Sequence, residues 1–207
     1  MVSSLLSEAD AREVEAAVGR VESQSSAEVV VAVVPRSHDY WRPRVLLAVA
    51  WALASGFAYL HFAPWREPAW ALGLELVVGF AVYALSGLPA VSRRLISSQA
   101  AAEAASARAF QLFAERGLHG TRGRTALLVF VSELEHRVVL LGDHTVHMRL
   151  GQSGWDAHVE LLVSHIRRGQ TRAGLLALLE RLGPELAAVA PREADDVNEL
   201  PDHVLRG

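Results

Sequence analysis

The chain has no cysteine, which removes disulfides, cysteine-ligated zinc and a thiol nucleophile while leaving the redox compartment open. It also lacks an excess of positive charge. Net charge is −3 and the pI about 6.3, so no global basic field draws nucleic acid, and none is expected as a partner. A Gly-rich phosphate loop is missing: Gly117-Leu-His-Gly-Thr-Arg-Gly123 has glycines, but it precedes a strand-like run where a P-loop would follow one. Nine histidines occur without an H-E-x-x-H motif. His144 and His147 lie close together, but His158 and His165 are two helical turns apart, roughly 10.5 Å, too far to share an ion unaided. Ser153 near His158 has no nucleophile elbow around it. Met1–Arg20 carries acidic residues early and no apolar core, so no signal peptide is expected there. Repeats and low-complexity tracts are absent.

What the chain does have is two apolar stretches, Val45–Ala63 and Ala69–Leu88, separated by Pro64-Trp65-Arg66-Glu67-Pro68. A bilayer core of about 30 Å needs roughly 20 helical residues, so each is long enough to cross. The composition, 51% hydrophobic with a mean hydropathy of +0.22, suits a small anchor on a water-soluble body. Arg36, Arg42 and Arg44 precede the first stretch, and Arg93 and Arg94 follow the second. Positive charge favours the cytoplasmic side, so two spans in the inner (cytoplasmic) membrane are expected, with both termini cytoplasmic and the short turn outside. Trp41, Trp65 and Trp70 fall near the expected interfaces.

Glu75 is an acid inside the second stretch, where insertion costs about 2.5–3.5 kcal/mol, so it is expected to be neutral or paired. Tyr59 and His61 are placed at comparable depth. Two readings stand: a hydrogen-bonded acid that helps the hairpin pack or self-associate, and a proton or ligand site. Ser55-Gly56, Gly73 and Gly79 would let the helices approach closely.

The remaining chain reads as a small α/β domain. Ser7 and Asp10 form a capping box for a helix on which Val14, Ala17, Val18 and Val21 share one face. Glu28-Val-Val-Val-Ala-Val-Val34 is a strand covered on both faces. A helix from Ser97 or Ser98 to about Arg116 stops at Gly117. Thr125–Val131 and Arg137–Leu141 form an antiparallel hairpin. Ser153 is expected to cap a helix starting at Trp155, with Asp156 three residues beyond the cap, and Thr171 a last helix that Gly183-Pro184 bends or ends. The expected divisions are 1–40 (helix and strand), 41–91 (transmembrane hairpin), 92–190 (remainder of the domain) and 191–207 (acidic tail). The fold class is α/β, a small mixed sheet with helical cover interrupted by a two-helix transmembrane hairpin.

Phe113-Ala-Glu-Arg-Gly-Leu118, Leu127-Leu-Val-Phe-Val-Ser132, Glu135-His-Arg-Val138, Leu141-Gly-Asp143, Ile166-Arg-Arg-Gly169 and Asp196-Val-Asn-Glu-Leu-Pro201 follow one another in an order that resembles the TPM domain family. The likeness is to its branch of short bacterial membrane proteins. Ser25-Ser-Ala-Glu28 resembles the family's polar turn into its first strand, and the similarity covers about 5–36 and 97–202. The resemblance implies a central sheet with helices on both sides. It also implies one of several roles: some plant members are acid phosphatases, others act in repair of photosynthetic complexes or as receptor accessory subunits, and some bind calcium through acidic loops. His136 stands where the family commonly has a second Arg, and Ala27 where it has Gly, which weighs against catalysis in that region.

Asp143 ends a buried strand, where open sheets present reactive groups. Glu28 begins another, and Asp195, Asp196, Glu199 and Asp202 cluster in the tail. Convergence of Glu28, Asp143, Asp195 and Asp196 would suit Ca²⁺ or Mg²⁺; otherwise Asp143 caps a turn and the tail is solvated. Arg124, Arg137 and Arg149 are expected to be solvated and Trp155 to be a packing anchor. The expected function is a membrane-anchored interaction or regulatory module at the cytoplasmic face, with the lipid bilayer and a protein partner, or self-association through the hairpin. The alternative is a weak divalent-cation-dependent phosphatase-like hydrolase.

Overall fold

The computed structural model of the chain describes residues 6–63, 65–121, 123–192 and 203–206, and the side chains among them except 150–153 and 206. The chain divides into two units: Met1–Ser37 with Ala101–Gly207, and His38–Ala100.

In the first unit a mixed sheet has the order β3-β2-β1-β4, with β1 Val29–Val34, β2 Leu127–Ser132, β3 Arg137–Gly142 and the two-residue β4 Leu205–Arg206. β1 runs parallel to β2 and to β4, and β2 is antiparallel to β3. β1 and β2 are buried along their full length, as continuous Val/Leu runs covered on both faces require. Alternation sorts their side chains. Val29, Val31, Val33, Leu127, Val129 and Val131 pack with α1 (Glu8–Glu22), α6 (His144–Arg167) and α7 (Thr171–Val189). Val30, Ala32, Leu128 and Phe130 face Ala105, Ala109 and Leu112 of α5 (Ser98–Glu115). The expected α/β sheet with helices on both faces is therefore the observed fold.

Local signals act as their chemistry dictates. The Ser7 hydroxyl accepts from Asp10 N–H at 3.1 Å, and the Asp10 carboxylate accepts from Ser7 N–H at 3.1 Å and from the Ser7 hydroxyl at 2.7 Å. The Ser97 hydroxyl accepts from Ala100 N–H, and Gly117 ends α5 at φ +66°, a conformation cheap only without a Cβ.

One helical expectation is corrected, and of the two alternatives given for Gly183-Pro184, a bend or an end, the end is excluded. α6 starts at His144, not Trp155, because Asp143 caps it through His144 N–H at 2.6 Å. Gly151 and Gly154 weaken a helix by about 1 kcal/mol each. Val146 and Trp155, buried in one core on either side of them, hold the helix continuous. α7 likewise runs through Pro184 to Val189, since Leu182 and Leu186 are fully buried either side of the proline.

In the second unit, α2 (Trp41–Phe62) and α3 (Ala69–Ser86) pair antiparallel, and a short α4 (Pro89–Leu95) that the sequence reading did not anticipate follows. The seam advances in four-residue steps in opposite directions. A Cβ at Gly56 would lie 1.8 Å from Glu75 Oε1, one at Gly79 would lie 3.3 Å from Ala52 Cβ, and one at Gly87 would lie 2.7 Å from Arg44 Nη2. Small residues thus bring the helices together, as at membrane-type interfaces. Gly73 takes no part, having nothing within 4 Å of its Cβ position. Both helices are long and apolar enough to cross a membrane, and only 11% of the most apolar window of each is buried.

Candidate functional site

Strand register decides which candidate residues share an end of the sheet. Glu28 immediately precedes β1 and is buried. Its carbonyl accepts from Leu127 N–H at 2.8 Å, and Asp143 N–H donates to the Ala126 carbonyl at 2.8 Å. Glu28, Ala126 and Asp143 therefore form one row across the sheet end. Two strand spacings of about 4.8 Å separate the outer two backbones. Asp143 Oδ1 is occupied by the α6 cap, while its Oδ2 is buried with no hydrogen-bond partner among the described residues. Asp195, Asp196, Glu199 and Asp202 lie outside the described residues, as does Asn198–Pro201. Among the described residues no three His, Asp or Glu side chains are grouped as metal ligands; Glu28 and Asp143 are the part of the expected set brought to one end of the fold.

The histidines disperse. His158 is buried and its Nε2 lies 2.9 Å from Glu185 Oε2 of α7. His165 Nδ1 lies 2.9 Å from the Leu161 carbonyl, and His147 stacks over Trp155 at 6.4 Å. Trp155 is a packing anchor, 5% exposed, against the Gly142 backbone, where an added Cβ would sit 2.9 Å from its ring. Arg149 donates to the Val189 carbonyl at the end of α7, favourable for a cation at a helix C-terminus. Arg124 takes φ +49° in the turn before β2.

At the opposite end of the sheet, where the parallel strands β1 and β2 finish, lies a polar knot that the sequence did not suggest. The Ser37 hydroxyl donates to Ser132 Oγ at 2.7 Å, Ser132 Oγ donates to Glu135 Oε2 at 2.5 Å, and Ser37 N–H returns to Glu135 Oε1 at 3.0 Å. Glu133 N–H and Leu134 N–H donate to the Val34 and Pro35 carbonyls and prolong the β1–β2 ladder into the turn. Ser132 is fully buried, so its hydroxyl needs these partners. The signal available was Ser-Glu-Leu-Glu after a buried strand, four residues common in any turn. The ring ties Ser37, where the N-terminal segment of the first unit ends, to the β2–β3 turn, and its members are two serines and a glutamate.

α1 and α7 leave an open groove of about 400 Å³ lined by Ala17, Arg20, Gln24, Leu176, Glu180 and Pro184 among others. Pro184 supplies no N–H to the Glu180 carbonyl.

In the helical pair, Glu75 is half-buried, and its carboxyl lies against the bare backbone of Gly56, hydrogen-bonded to none of the described residues. Tyr59 donates instead to the Glu67 carbonyl at 3.3 Å, and His61 stacks on Phe57 and meets Phe62 edge-on. The seam pairs Glu75 with Gly56, about one turn along α2 from Tyr59.

No family model matches the chain, and no curated protein resembles it in sequence. Among solved structures, the chain is similar to the BA42 protein of the psychrophilic bacterium Bizionia argentinensis, determined by NMR. That match has a TM-score of 0.63 and 15% identity, and covers 100% of this chain and 99% of that one. The likeness is one of fold, to a small bacterial protein.

Proposed function

We propose that the chain is a membrane-anchored interaction or regulatory module of TPM type. α2 and α3 cross the inner membrane twice, and the α/β unit is held at its cytoplasmic face to bind a protein partner. The observation that carries this reading is where the exposed apolar bulk sits. Of the large hydrophobic side chains left exposed, nearly all lie on α2, α3 and the turn between them, among them Leu46, Phe57, Phe62, Leu76 and Phe80. Soluble proteins rarely expose so continuous an apolar surface, and at 22 and 18 residues the helices reach about 33 and 27 Å, close to a bilayer core. Arginines flanking both helices support cytoplasmic termini. The α1–α7 groove, and the absence of any complete catalytic constellation among the described residues, support binding over turnover.

The test uses full-length protein in right-side-out sealed vesicles treated with trypsin from outside. Cleavage confined to Arg66 in the turn is expected. Digestion of the α/β unit from outside would overturn the orientation, and release of intact protein by alkaline carbonate would overturn the anchor.

A second reading is a weak divalent-cation-dependent phosphomonoesterase at the Glu28–Asp143 end of the sheet. The buried Asp143 Oδ2, with no described partner, is the observation in its favour.

A further inference from the structure

We propose that the turn end of the α2–α3 pair is a binding site for one zwitterionic phospholipid whose headgroup carries a primary ammonium; this rests on the reading that the pair crosses a bilayer. The site is a groove of about 710 Å³ lined by Tyr59, Arg66, Glu67, Trp70, Gly73, Leu74 and Val77. That volume falls in the range of small-molecule sites, about 300–1,000 Å³.

The lining changes character along its length. At the turn stand one cation, Arg66, and one anion, Glu67, and neither side chain has a hydrogen-bond or ion-pair partner among the described residues. Although they are neighbours in sequence, they do not pair with each other. Further along α3 come Gly73, Leu74 and Val77, an apolar floor. Gly73 leaves open space there, since nothing lies within 4 Å of its Cβ position. Charge in opposite pairs at one end and a hydrocarbon channel at the other match a phospholipid lying along the helices: phosphate on the Arg66 guanidinium, ammonium donating to the Glu67 carboxylate, acyl chain over Gly73. Tyr59 and Trp70 place aromatic rings at the boundary between the two ends, where amphipathic rings settle in membranes. A headgroup with phosphate alone leaves Glu67 unanswered, and one whose ammonium bears no N–H cannot hydrogen-bond it.

Full-length protein would be extracted with mild detergent from vesicles of equal phosphatidylethanolamine and phosphatidylglycerol, and retained lipid read by native mass spectrometry. Wild type is expected to hold one phosphatidylethanolamine with a preference of about tenfold, the scale of one charge-assisted hydrogen bond. Gly73→Leu, which fills the groove on a face with room for it, should abolish retention of either lipid. Glu67→Gln should keep a bound lipid and erase the preference. Equal retention of the two lipids by wild type overturns the proposal, as does undiminished retention by Gly73→Leu. The same vesicles are floated on a density gradient. Protein that floats without selective lipid defeats the groove alone, while protein that stays at the bottom defeats membrane insertion and the groove together.

Discussion

The carboxyl of Glu75 lies on the bare backbone of Gly56, so closely that one added methyl group would meet Oε1 at 1.8 Å and Cδ at 2.6 Å. α2 and α3 approach there because position 56 has no side chain, and the acid fills the space that the absence creates.

Enlarging Gly56 should therefore loosen the helical pair. Gly56→Leu is expected to cost about 1–3 kcal/mol, the usual range for overpacking, read as loss of helical circular dichroism on titration of the micellar protein with sodium dodecyl sulfate. Glu75→Ala in the same chain should recover most of that loss, since it empties the space the leucine enters. A single variant as stable as wild type would show that the two helices do not meet there.

Glu135 accepts from both Ser37 N–H and the buried Ser132 hydroxyl. Glu135→Ala leaves both donors without it, and a buried donor without an acceptor costs about 1–3 kcal/mol. The urea midpoint of the full-length protein should fall, and limited proteolysis near Arg36 should speed up. Glu135→Gln keeps one carbonyl acceptor and should fall between the two. An unchanged midpoint in both variants would remove the knot from the account of stability.

The Asp10 carboxyl is held below its ordinary value, first by the Ser7 hydroxyl, then by the Ser7 backbone N–H, with the Arg172 guanidinium adding to both. A lowered native pKa means that the ionised cap stabilises the fold. The contribution is complete above the unfolded carboxyl pKa of about 3.9 and is lost as pH falls through the lower native value. Asp10→Asn should then lower Tm at pH 7, and the gap from wild type should close as pH falls below about 4. A gap independent of pH would show that the charge contributes nothing.

Asp143 separates the two functional readings. As an α6 cap its loss in Asp143→Ala should cost about 0.5–2 kcal/mol, with Asp143→Asn nearly neutral. Hydrolysis of a generic phosphate monoester is expected to be absent from wild type with or without Ca²⁺ or Mg²⁺. Ion-dependent turnover that disappears in Asp143→Asn, a variant that keeps the cap, would instead establish the hydrolase reading.

Several elements were fixed by neighbours in the sequence and so were legible there. The Ser7–Asp10 box, the stop at Gly117, the Val- and Leu-rich strands, and the two apolar helices with their five-residue turn all depend on local chemistry and periodicity. Where the reading missed, a distant contact outweighed a local signal. Ser153 is a good local cap for a helix starting at Trp155, yet α6 starts at His144 and continues past Gly151 and Gly154, with Val146 and Trp155 buried in the same core. Gly183-Pro184 allowed a bend or an end, and the end is excluded because Leu186 beyond it is fully buried within the same helix.

The candidate sites divide in the same way. The residue types at Glu28 and Asp143 are visible in the sequence, but only strand register places them in one row beside Ala126. Glu75 is conspicuous as an acid in an apolar run, but its partner at Gly56 follows from the antiparallel seam. The Ser37–Ser132–Glu135 knot joins residues about a hundred positions apart, and nothing in their spacing reveals it. Hydrophobic period and chain length alone determined that this is an α/β body interrupted by two long apolar helices, because each is a property of a single segment. Which polar groups meet was left to tertiary structure, since a hydrogen bond needs two partners within about 3 Å and the chain supplies them from opposite sides of an insertion.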